Sequence, residues 1–292
     1  MKQIAIISGK GGTGKTAIAA LFAVLATNKI IADCDVDASN LYLLLNPAIK
    51  AKSEFRGSQT AVIDAKRCTE CCICEENCRF DAICECVIDP ILCEGCGVCV
   101  ISCPENAICL EDNVSGYTYI SDTEYGPMSH AELKIAEEAT GKLITAVRNN
   151  SIELTRHHNL ILIDGPPGIG CPVIASLSGV DMALIVTEPS QSGVHDLKRI
   201  LGVVAHFGVK PVVCINKYDI NEEVTEEIEA FCREGGVEIA GKIPFDVSIT
   251  KAMVAGVPVV ETGLKTDAGE AIERMWVRIN QSNCLTTKSP DV

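Results

Sequence analysis

The chain alternates short apolar runs with longer segments in which apolar residues recur at helical spacing. The short runs predict strands over residues 4–8, 160–163, 182–186, 211–215 and 237–243, with a further strand ending near Asp33. The longer segments predict helices over residues 15–27, 194–206, 222–234 and 267–280. Strands that alternate with helices of this length indicate an α/β fold, in which a parallel sheet is covered on both faces.

This alternation is interrupted by a segment rich in cysteine. Helical periodicity fails between residues 59 and 113, where short turns dominate, and twelve of the seventeen cysteines lie between Cys68 and Cys109. Surface loops are the sites where a domain tolerates an insertion. We therefore expect one α/β domain formed by residues 1–58 and 114–292, with an inserted domain at residues 59–113.

The composition is that of a globular protein with a sizeable core, with 292 residues of which 47% are apolar and 22% charged. Its apolar runs are too short to cross a bilayer, so we expect a cytoplasmic protein without a membrane partner. In that compartment, numerous cysteines indicate metal or redox chemistry rather than disulfides. A net charge of -14 argues against a nucleic-acid partner, because phosphate binding requires clustered lysine and arginine.

Much of the negative charge lies within the cysteine-rich segment. Residues 62–112 contain eleven acidic and three basic residues, an excess of eight negative charges. Two interpretations remain open. The segment presents either a solvated acidic face or a docking surface for a redox or acceptor protein with a basic surface.

The cysteine-rich segment consists of two similar halves. Residues 62–84, VIDAKRCTECCICEENCRFDAIC, align with residues 87–109, VIDPILCEGCGVCVISCPENAIC, at a constant offset of 25. Both halves contain the spacing C-x2-C-x2-C-x3-C, formed by Cys68, Cys71, Cys74 and Cys78 in one and by Cys93, Cys96, Cys99 and Cys103 in the other. Such a repeat predicts two metal centres of one kind.

The repeated spacing resembles that of the bacterial two-cluster ferredoxins, in which the fourth cysteine of each half binds the cluster of the other half. The resemblance implies two 4Fe-4S clusters, one held by Cys68, Cys71, Cys74 and Cys103, the other by Cys93, Cys96, Cys99 and Cys78. Zinc, which also binds C-x2-C pairs, is the alternative metal.

Three further cysteines of the repeat are not expected to bind metal. Cys72 falls opposite Gly97, a position that needs a small residue. Cys84 falls opposite Cys109, and both follow an Ala-Ile pair in what should be a short strand. We therefore expect Cys84 and Cys109 to be buried as small apolar residues.

A phosphate-binding loop follows the first strand. Residues 9–16, GKGGTGKT, satisfy G-x4-G-K-[ST] and open a helix, as this motif requires. Its backbone N–H groups and the helix N-terminus would bind phosphate oxygens, with Lys15 on the β and γ phosphates and Thr16 on Mg²⁺. The residues expected to surround the phosphates of ATP are Gly11, Gly12, Thr13, Gly14, Lys15, Thr16 and Ala17.

The additional Lys10 and the later motifs are similar to those of the MinD/ParA family of ATPases. In that family this lysine reaches the ATP of the other subunit, which implies a homodimer or a dimer with a paralogue. DCDVDASN, residues 33–40, is similar to the first switch, and LILIDGPPGIG, residues 160–170, to the Walker B strand and second switch. The resemblance implies that Lys10, Lys15, Asp35 and Asp164 are catalytic, with Asp35 near the attacking water and Asp164 in the outer shell of Mg²⁺.

Two more motifs resemble the segments that hold adenine in this family. They are INKYD, residues 215–219, and IPFD, residues 243–246. The implied adenine contacts are Asn216, Pro244 and Asp246. The whole chain is thus similar to a parallel-sheet P-loop ATPase that contains an inserted α+β ferredoxin-like domain.

Three functions are compatible with this combination. The leading hypothesis is an ATPase whose nucleotide-dependent dimer gates electron transfer from two 4Fe-4S clusters to a partner protein. The first alternative is an ATPase that assembles iron-sulfur clusters or other metallocofactors. The second is a positioning ATPase similar to MinD and ParA, with the insert as a redox sensor.

Overall fold

The fold was analysed in a computed structural model, which describes residues 1–135, 137–138, 140–255 and 266–284. The chain divides into two compact units. Unit 1 contains residues 1–52, 119–131 and 139–292, and unit 2 contains residues 53–118 and 132–138. Unit 2 takes in residues 59–113 and additional residues on either side, and the boundaries 59–113 of an inserted domain stay a prediction.

The strands, numbered in chain order, are β1 Lys2–Ser8, β2 Lys29–Asp33, β3 Ala48–Phe55, β4 Ser58–Ile63, β5 Ile83–Cys84, β6 Val87–Ile88, β7 Ile108–Asn113, β8 Gly116–Thr123, β9 Gly126–Leu133, β10 Leu160–Pro167, β11 Met182–Thr187, β12 Lys210–Asn216 and β13 Glu238–Ile243. The α-helices are α1 Lys15–Leu25, α2 Leu41–Leu45, α3 Ile73–Glu76, α4 Val98–Ser102, α5 Gly141–Glu153, α6 Cys171–Leu177, α7 Gln191–His206, α8 Glu222–Glu234, α9 Val247–Ala255 and α10 Asp267–Cys284.

The main sheet has the strand order β13-β12-β11-β1-β10-β2-β9-β8-β3. The strands from β13 to β9 run parallel to their neighbours. The predicted parallel α/β sheet is therefore confirmed, with each predicted strand and helix present within a few residues of its expected ends. In a sheet of this kind the carboxyl ends of the strands meet at one edge, where ligands bind.

Both faces of the sheet are buried at its central strand β1. Ile4 and Ile6 of β1 belong to a cluster that contains Phe22 of α1 and Trp276 of α10, whose rings lie 4.9 Å apart. The alternating residue Ile7 is fully buried but lies outside this cluster. Since successive side chains of a strand point to opposite faces, helices cover both sides of β1, as the uninterrupted apolar run predicts.

Several helices of unit 1 begin at side chains that satisfy free backbone N–H groups. Thr140 accepts a hydrogen bond from the Leu143 amide before α5, Ser190 from the Gly193 amide before α7, and Asn221 from the Val224 amide before α8. These caps fix where each helix starts. The cap of α7 also holds Ser190 beside the end of β11, a position that matters for the site described below.

Unit 2 repeats its structure as it repeats its sequence. β4 pairs antiparallel with β7, and β5 with β6. The helix α3 begins at Ile73 and α4 at Val98, and these residues correspond under the offset of 25. Left-handed backbone conformations recur at the same offset, at Glu70 and Gly95, Cys72 and Gly97, and Asp81 and Asn106. The two halves therefore share their local backbone geometry as well as their cysteine spacing.

Candidate functional site

The phosphate-binding loop connects β1 to α1 and has a conformation that requires glycine. Gly14 has φ 89°, and a Cβ atom there would collide with the side-chain amide of Asn216. That amide donates a hydrogen bond of 2.7 Å to the Thr13 carbonyl. Asn216, at the end of β12, therefore fastens the loop in place.

Lys15, the first residue of α1, is buried between two carboxylates. Its Nζ lies 2.8 Å from Asp35 Oδ2 and 3.0 Å from Asp164 Oδ1. Burial by itself would lower the pKa of Lys15, but the negative charges of Asp164 and Asp35 raise it above its ordinary value. The ammonium group thus stays charged and is held where the carboxyl ends of β2 and β10 meet.

The acidic side chains outnumber the single lysine. Asp33 and Asp164 are in register on β2 and β10, and both are buried. Burial, followed by the charge of Asp164, raises the pKa of Asp33 to about 8, although the Ser39 hydroxyl opposes this with a hydrogen bond of 2.8 Å. Burial also raises the pKa of Asp164, against the attraction of Lys15. Three carboxyl groups, counting Asp35, therefore lie close to one ammonium group.

This acidic cluster has the donors that a hard divalent cation prefers. The Thr16 hydroxyl hydrogen-bonds to Asp164, which brings together the two residues expected on the inner and outer sides of Mg²⁺. The positions of Thr16 and Asp164 therefore fit a magnesium ion bound beside phosphate. A cation at this place would also offset the excess negative charge.

Lys10 lies on the other side of the phosphate-binding loop and is held by groups that follow β11. Its Nζ is 2.7 Å from Glu188 Oε1, 3.0 Å from Ser190 Oγ and 2.8 Å from Ser192 Oγ. Lys217 contacts the same carboxylate at 3.0 Å and also donates to the Gly12 carbonyl at 3.0 Å. Glu188 therefore links two lysines of the loop region.

The segments expected to hold adenine lie next to each other. Asp219, which follows Asn216, accepts a hydrogen bond of 2.7 Å from the Phe245 amide. This bond joins the loop after β12 to residues 244–246, so Pro244 and Asp246 lie on an adjacent loop. Partial burial would raise the pKa of Asp246, but hydrogen bonds from Ser248 and Thr266 lower it.

The eight cysteines of the repeated spacing line two cavities of unit 2. One cavity is lined by Cys68, Cys71, Cys74 and Cys103, together with Cys72 and Cys86. The other is lined by Cys78, Cys93, Cys96 and Cys99. Each cavity thus contains three cysteines from one half of the repeat and the fourth from the other half, and all of these thiols are free.

The chain matches the family described as the CobQ/CobB/MinD/ParA nucleotide binding domain over residues 4–259. This match covers the phosphate-binding loop, both acidic strand ends and the adenine segments. The chain belongs to that family. It is thus a nucleotide-binding P-loop ATPase of the MinD/ParA type, as the motifs predict.

Two relatives of this MinD/ParA-type ATPase come from Methanocaldococcus jannaschii. The protein MJ0578 is 33% identical over 96% of each chain. A protein described as an iron-sulfur cluster carrier is 31% identical over 41% of this chain and 45% of its own length. The second likeness is thus limited to part of both proteins.

Solved structures with the same fold include MinD from Pyrococcus horikoshii in complex with Mg-ADP, with a TM-score of 0.59 and 19% identity over 99% of both chains. MinD from Pyrococcus furiosus has a TM-score of 0.58 and 19% identity, over 96% of this chain and 99% of the other. In the residues that the structure describes, no helix of this ATPase combines the length and apolar character that a membrane crossing requires.

One expectation about the cysteines of this ATPase is wrong. Cys84 and Cys109 are exposed rather than buried. The residues that face the core of unit 2 are their neighbours Ile83 and Ile108. Because side chains alternate along a strand, an inward isoleucine turns the following cysteine outward.

Sequence reasoning missed two residues that the structure brings into contact with the expected ones. Glu188 follows the buried strand β11 directly, so its place at the carboxyl edge of the sheet could have identified it. Cys86 lies between the two halves, and its counterpart at the offset of 25 is Glu111, which marks it as an extra thiol.

Proposed function

We propose that this protein is an ATPase whose nucleotide cycle gates electron transfer from two 4Fe-4S clusters in unit 2 to a partner protein. The observation that carries the proposal is the division of the eight repeat cysteines between two cavities. The division matches the crossed ligand sets implied by the ferredoxin resemblance. An ATPase that carries two such centres combines a nucleotide-dependent conformational change with clusters that accept and donate electrons.

The chemistry of the two cavities fits iron-sulfur clusters better than zinc. A four-iron cube keeps its thiolates further apart than one ion does, and it uses four cysteines per centre. Both cavities combine three thiols from one half of the repeat with the fourth from the other half, as in the two-cluster ferredoxins, which supports cubes rather than single zinc ions.

In the proposed cycle, the residues of unit 1 bind and orient the nucleotide. Lys15 would exchange its carboxylate partners for phosphate oxygens, and Thr16 would bind the magnesium ion beside Asp164. Asp35, released from Lys15, would then be available to orient the attacking water. Lys10 would exchange Glu188 for the nucleotide of a second subunit, so dimer closure depends on ATP.

When bound, the clusters would supply low-potential electrons. The chain's own contribution is to hold them in unit 2, whose residues 62–112 include eleven acidic and three basic residues. This charge supports a partner with a basic surface, because complementary charge steers such encounters. A nucleotide-dependent change of dimer state would determine when that partner binds.

The gating step is tested with a variant locked in its ATP-bound state. Asp35→Asn with ATP serves as bait for an anaerobic pull-down, and wild-type protein with ADP is the matched control. The dithionite-reduced protein is then mixed with the captured partner, and loss of the reduced-cluster signal is followed with ATP and with ADP. We expect faster oxidation with ATP, and equal rates would contradict gating.

An assembly role is the second candidate, because a relative at 31% identity is described as an iron-sulfur cluster carrier. Under that function, clusters would leave the protein for an acceptor rather than cycle between redox states. Radiolabelled iron on the reconstituted protein distinguishes the two. Its transfer to an apo-ferredoxin in the presence of ATP would favour delivery, and its retention during electron transfer would favour gating.

A further inference from the structure

The two cysteine cavities of unit 2 differ in the number of thiols that line them. The cavity with Cys93 is lined by four cysteines, all from the repeated spacing. The cavity with Cys68 is lined by six, because Cys72 and Cys86 join the four of the repeat. The second half has Gly97 and Glu111 at the corresponding positions, so this surplus belongs to one cavity alone.

Cys86 is the surplus thiol that contacts an expected ligand. Its thiol lines the same cavity as Cys68 and interacts with the Cys68 thiol. By contrast, the Cys72 thiol donates to the Glu70 carbonyl at 3.5 Å. Of the two extra cysteines, Cys86 therefore has the contact that an exchange of ligands requires.

The turn that carries Cys86 is held in an unusual conformation. Glu85 and Cys86 have φ values of 47° and 60°, in the left-handed region that favours glycine. The Glu85 amide donates a hydrogen bond of 3.0 Å to Glu75 Oε2, at the end of α3. This bond fastens the turn to the helix that follows Cys71. Glu85 and Cys86 form the two-residue turn between β5 and β6, and hairpin turns of this length require positive φ at both residues. The turn thus fixes the position of Cys86 at the cavity.

We propose that Cys86 is an alternative ligand of the first cluster and can replace Cys68. In the exchange, the bond from iron to the Cys68 sulfur breaks as the bond to the Cys86 sulfur forms, and the Cys86 thiol proton passes to Cys68. No electron is gained or lost. The first cluster thus has an exchangeable ligand position that the second cluster lacks.

This inference rests on the proposed function, since it requires a cluster in the first cavity. Its test is the iron and acid-labile sulfide content of the full chain after anaerobic reconstitution. Wild-type protein should hold about eight iron atoms per chain, two four-iron clusters. Cys68→Ala should keep about eight because Cys86 substitutes, whereas Cys93→Ala, its counterpart in the other half, should keep about four.

Two double variants identify the substituting thiol. Cys68→Ala with Cys86→Ala should fall to about half the wild-type iron, and Cys68→Ala with Cys72→Ala should keep all of it. The electron paramagnetic resonance spectrum of dithionite-reduced Cys68→Ala should show two clusters, one with altered g-values. Gel filtration and far-ultraviolet circular dichroism establish that each variant is folded.

Failure of this inference can be distinguished from failure of the proposed function. If Cys68→Ala loses half of the iron while wild-type protein holds two clusters, Cys86 is not a ligand and the proposed function stands. If iron survives in the Cys68, Cys86 double variant but not in the Cys68, Cys72 double variant, the alternative ligand is Cys72 and the proposal is overturned. If folded wild-type protein takes up no cluster, the inference and the proposed function both fail.

Discussion

Lys10 Nζ lies 2.7 Å from Glu188 Oε1 within a single subunit. Partial burial would raise the pKa of Glu188, but hydrogen bonds from Lys10 and Lys217 lower it below its ordinary value. The carboxylate is therefore ionised and holds Lys10 against its own chain. A lysine expected to serve a second subunit must first leave this contact.

Replacing Glu188 by glutamine should favour the ATP-bound dimer. The substitution keeps the size of the side chain and removes the charge that retains Lys10. Because the pair is only partly buried, its loss is worth up to about 1 kcal/mol. A homodimer breaks two such pairs, which amounts to at most about a thirtyfold lower dissociation constant of the dimer, measured by analytical ultracentrifugation with Mg-ATP.

A matched ion pair elsewhere in unit 1 provides the control. Lys242 Nζ lies 2.7 Å from Glu229 Oε1, with no contact to the phosphate-binding loop among the bonds described. Glu229→Gln should leave the dissociation constant unchanged. A weaker dimer in Glu188→Gln would indicate that Glu188 supports the interface rather than restraining Lys10.

Asp35→Asn should abolish most ATP hydrolysis while ATP still binds. The amide cannot accept a proton from water, and groups in this role contribute about 10²- to 10⁴-fold to the rate. Phosphate release measures hydrolysis, and a fluorescent ATP analogue measures binding. Asp37→Asn, two residues along the same loop and exposed, is the control that should keep near-normal hydrolysis. Unchanged hydrolysis in Asp35→Asn would reassign the role of the first switch.

The acidic cluster predicts how the stability of nucleotide-free protein depends on pH. The pKa of Asp33 is about 8 in the folded chain and 3.8 in the unfolded one. Between these values the folded state binds the extra proton, so the free energy of unfolding should decrease as the pH rises from about 4 to about 8. Thermal unfolding midpoints at pH 5, 6, 7 and 8 would measure this.

Asp33→Asn tests the origin of that dependence. The asparagine can still accept the hydrogen bond from Ser39, which is 2.8 Å in the native protein, but it does not titrate. Its unfolding midpoint should therefore change less over the same pH range than that of the wild-type protein. An equal slope in both proteins would place the titrating group elsewhere.

The strands that apolar runs predict are the ones buried on both faces. β1 and β10 consist of such runs, and their partners follow from the order of a parallel sheet. β8 and β9 escaped prediction because they bury polar residues: Ser121 and Ser129 are both fully buried. Ser121 pairs with His130 at 3.0 Å, and Ser129 donates to the Val147 carbonyl. When buried positions of a strand are occupied by hydrogen-bonded polar residues, the sequence lacks the alternation of apolar and polar residues that predicts a strand.

The residues of the candidate site likewise include some that the sequence predicts and some that it does not. The motifs identify Lys15 and Asp164 because they fix the backbone around these residues, and the structure brings the two side chains within 3.0 Å. Glu188 and Cys86 belong to no motif. Glu188 contacts Lys10 and Lys217, and Cys86 lines the same cavity as Cys68. A contact between residues distant in sequence depends on how the strands and turns pack, which periodicity and spacing do not determine.

Cys72 and Gly97 provide a matched pair for the last prediction, because they occupy the same place in the two halves. Cys72 has φ 60° and Gly97 φ 75°. A left-handed conformation costs a residue with a Cβ atom about 1–2 kcal/mol more than glycine. Cys72→Gly should therefore stabilise unit 2 by about 1 kcal/mol, after loss of the weak bond from its thiol to the Glu70 carbonyl. Gly97→Ala should destabilise it by a similar amount, although the new Cβ would lie 3.6 Å from Leu110 Cδ1, an ordinary contact.

The measurement is the bleaching of iron-sulfur absorbance of the reconstituted full chain in increasing guanidinium chloride. The midpoint should move up for Cys72→Gly and down for Gly97→Ala, with iron content unchanged in both. Cys71→Ala, at the neighbouring position, is the control for a ligand and should lose iron. A thiol that only packs beside the cube can be replaced by glycine, the residue at the corresponding position of the second half. Loss of iron from Cys72→Gly would therefore mean that Cys72 is a ligand of the cluster and that the ligand positions of the first half are misassigned.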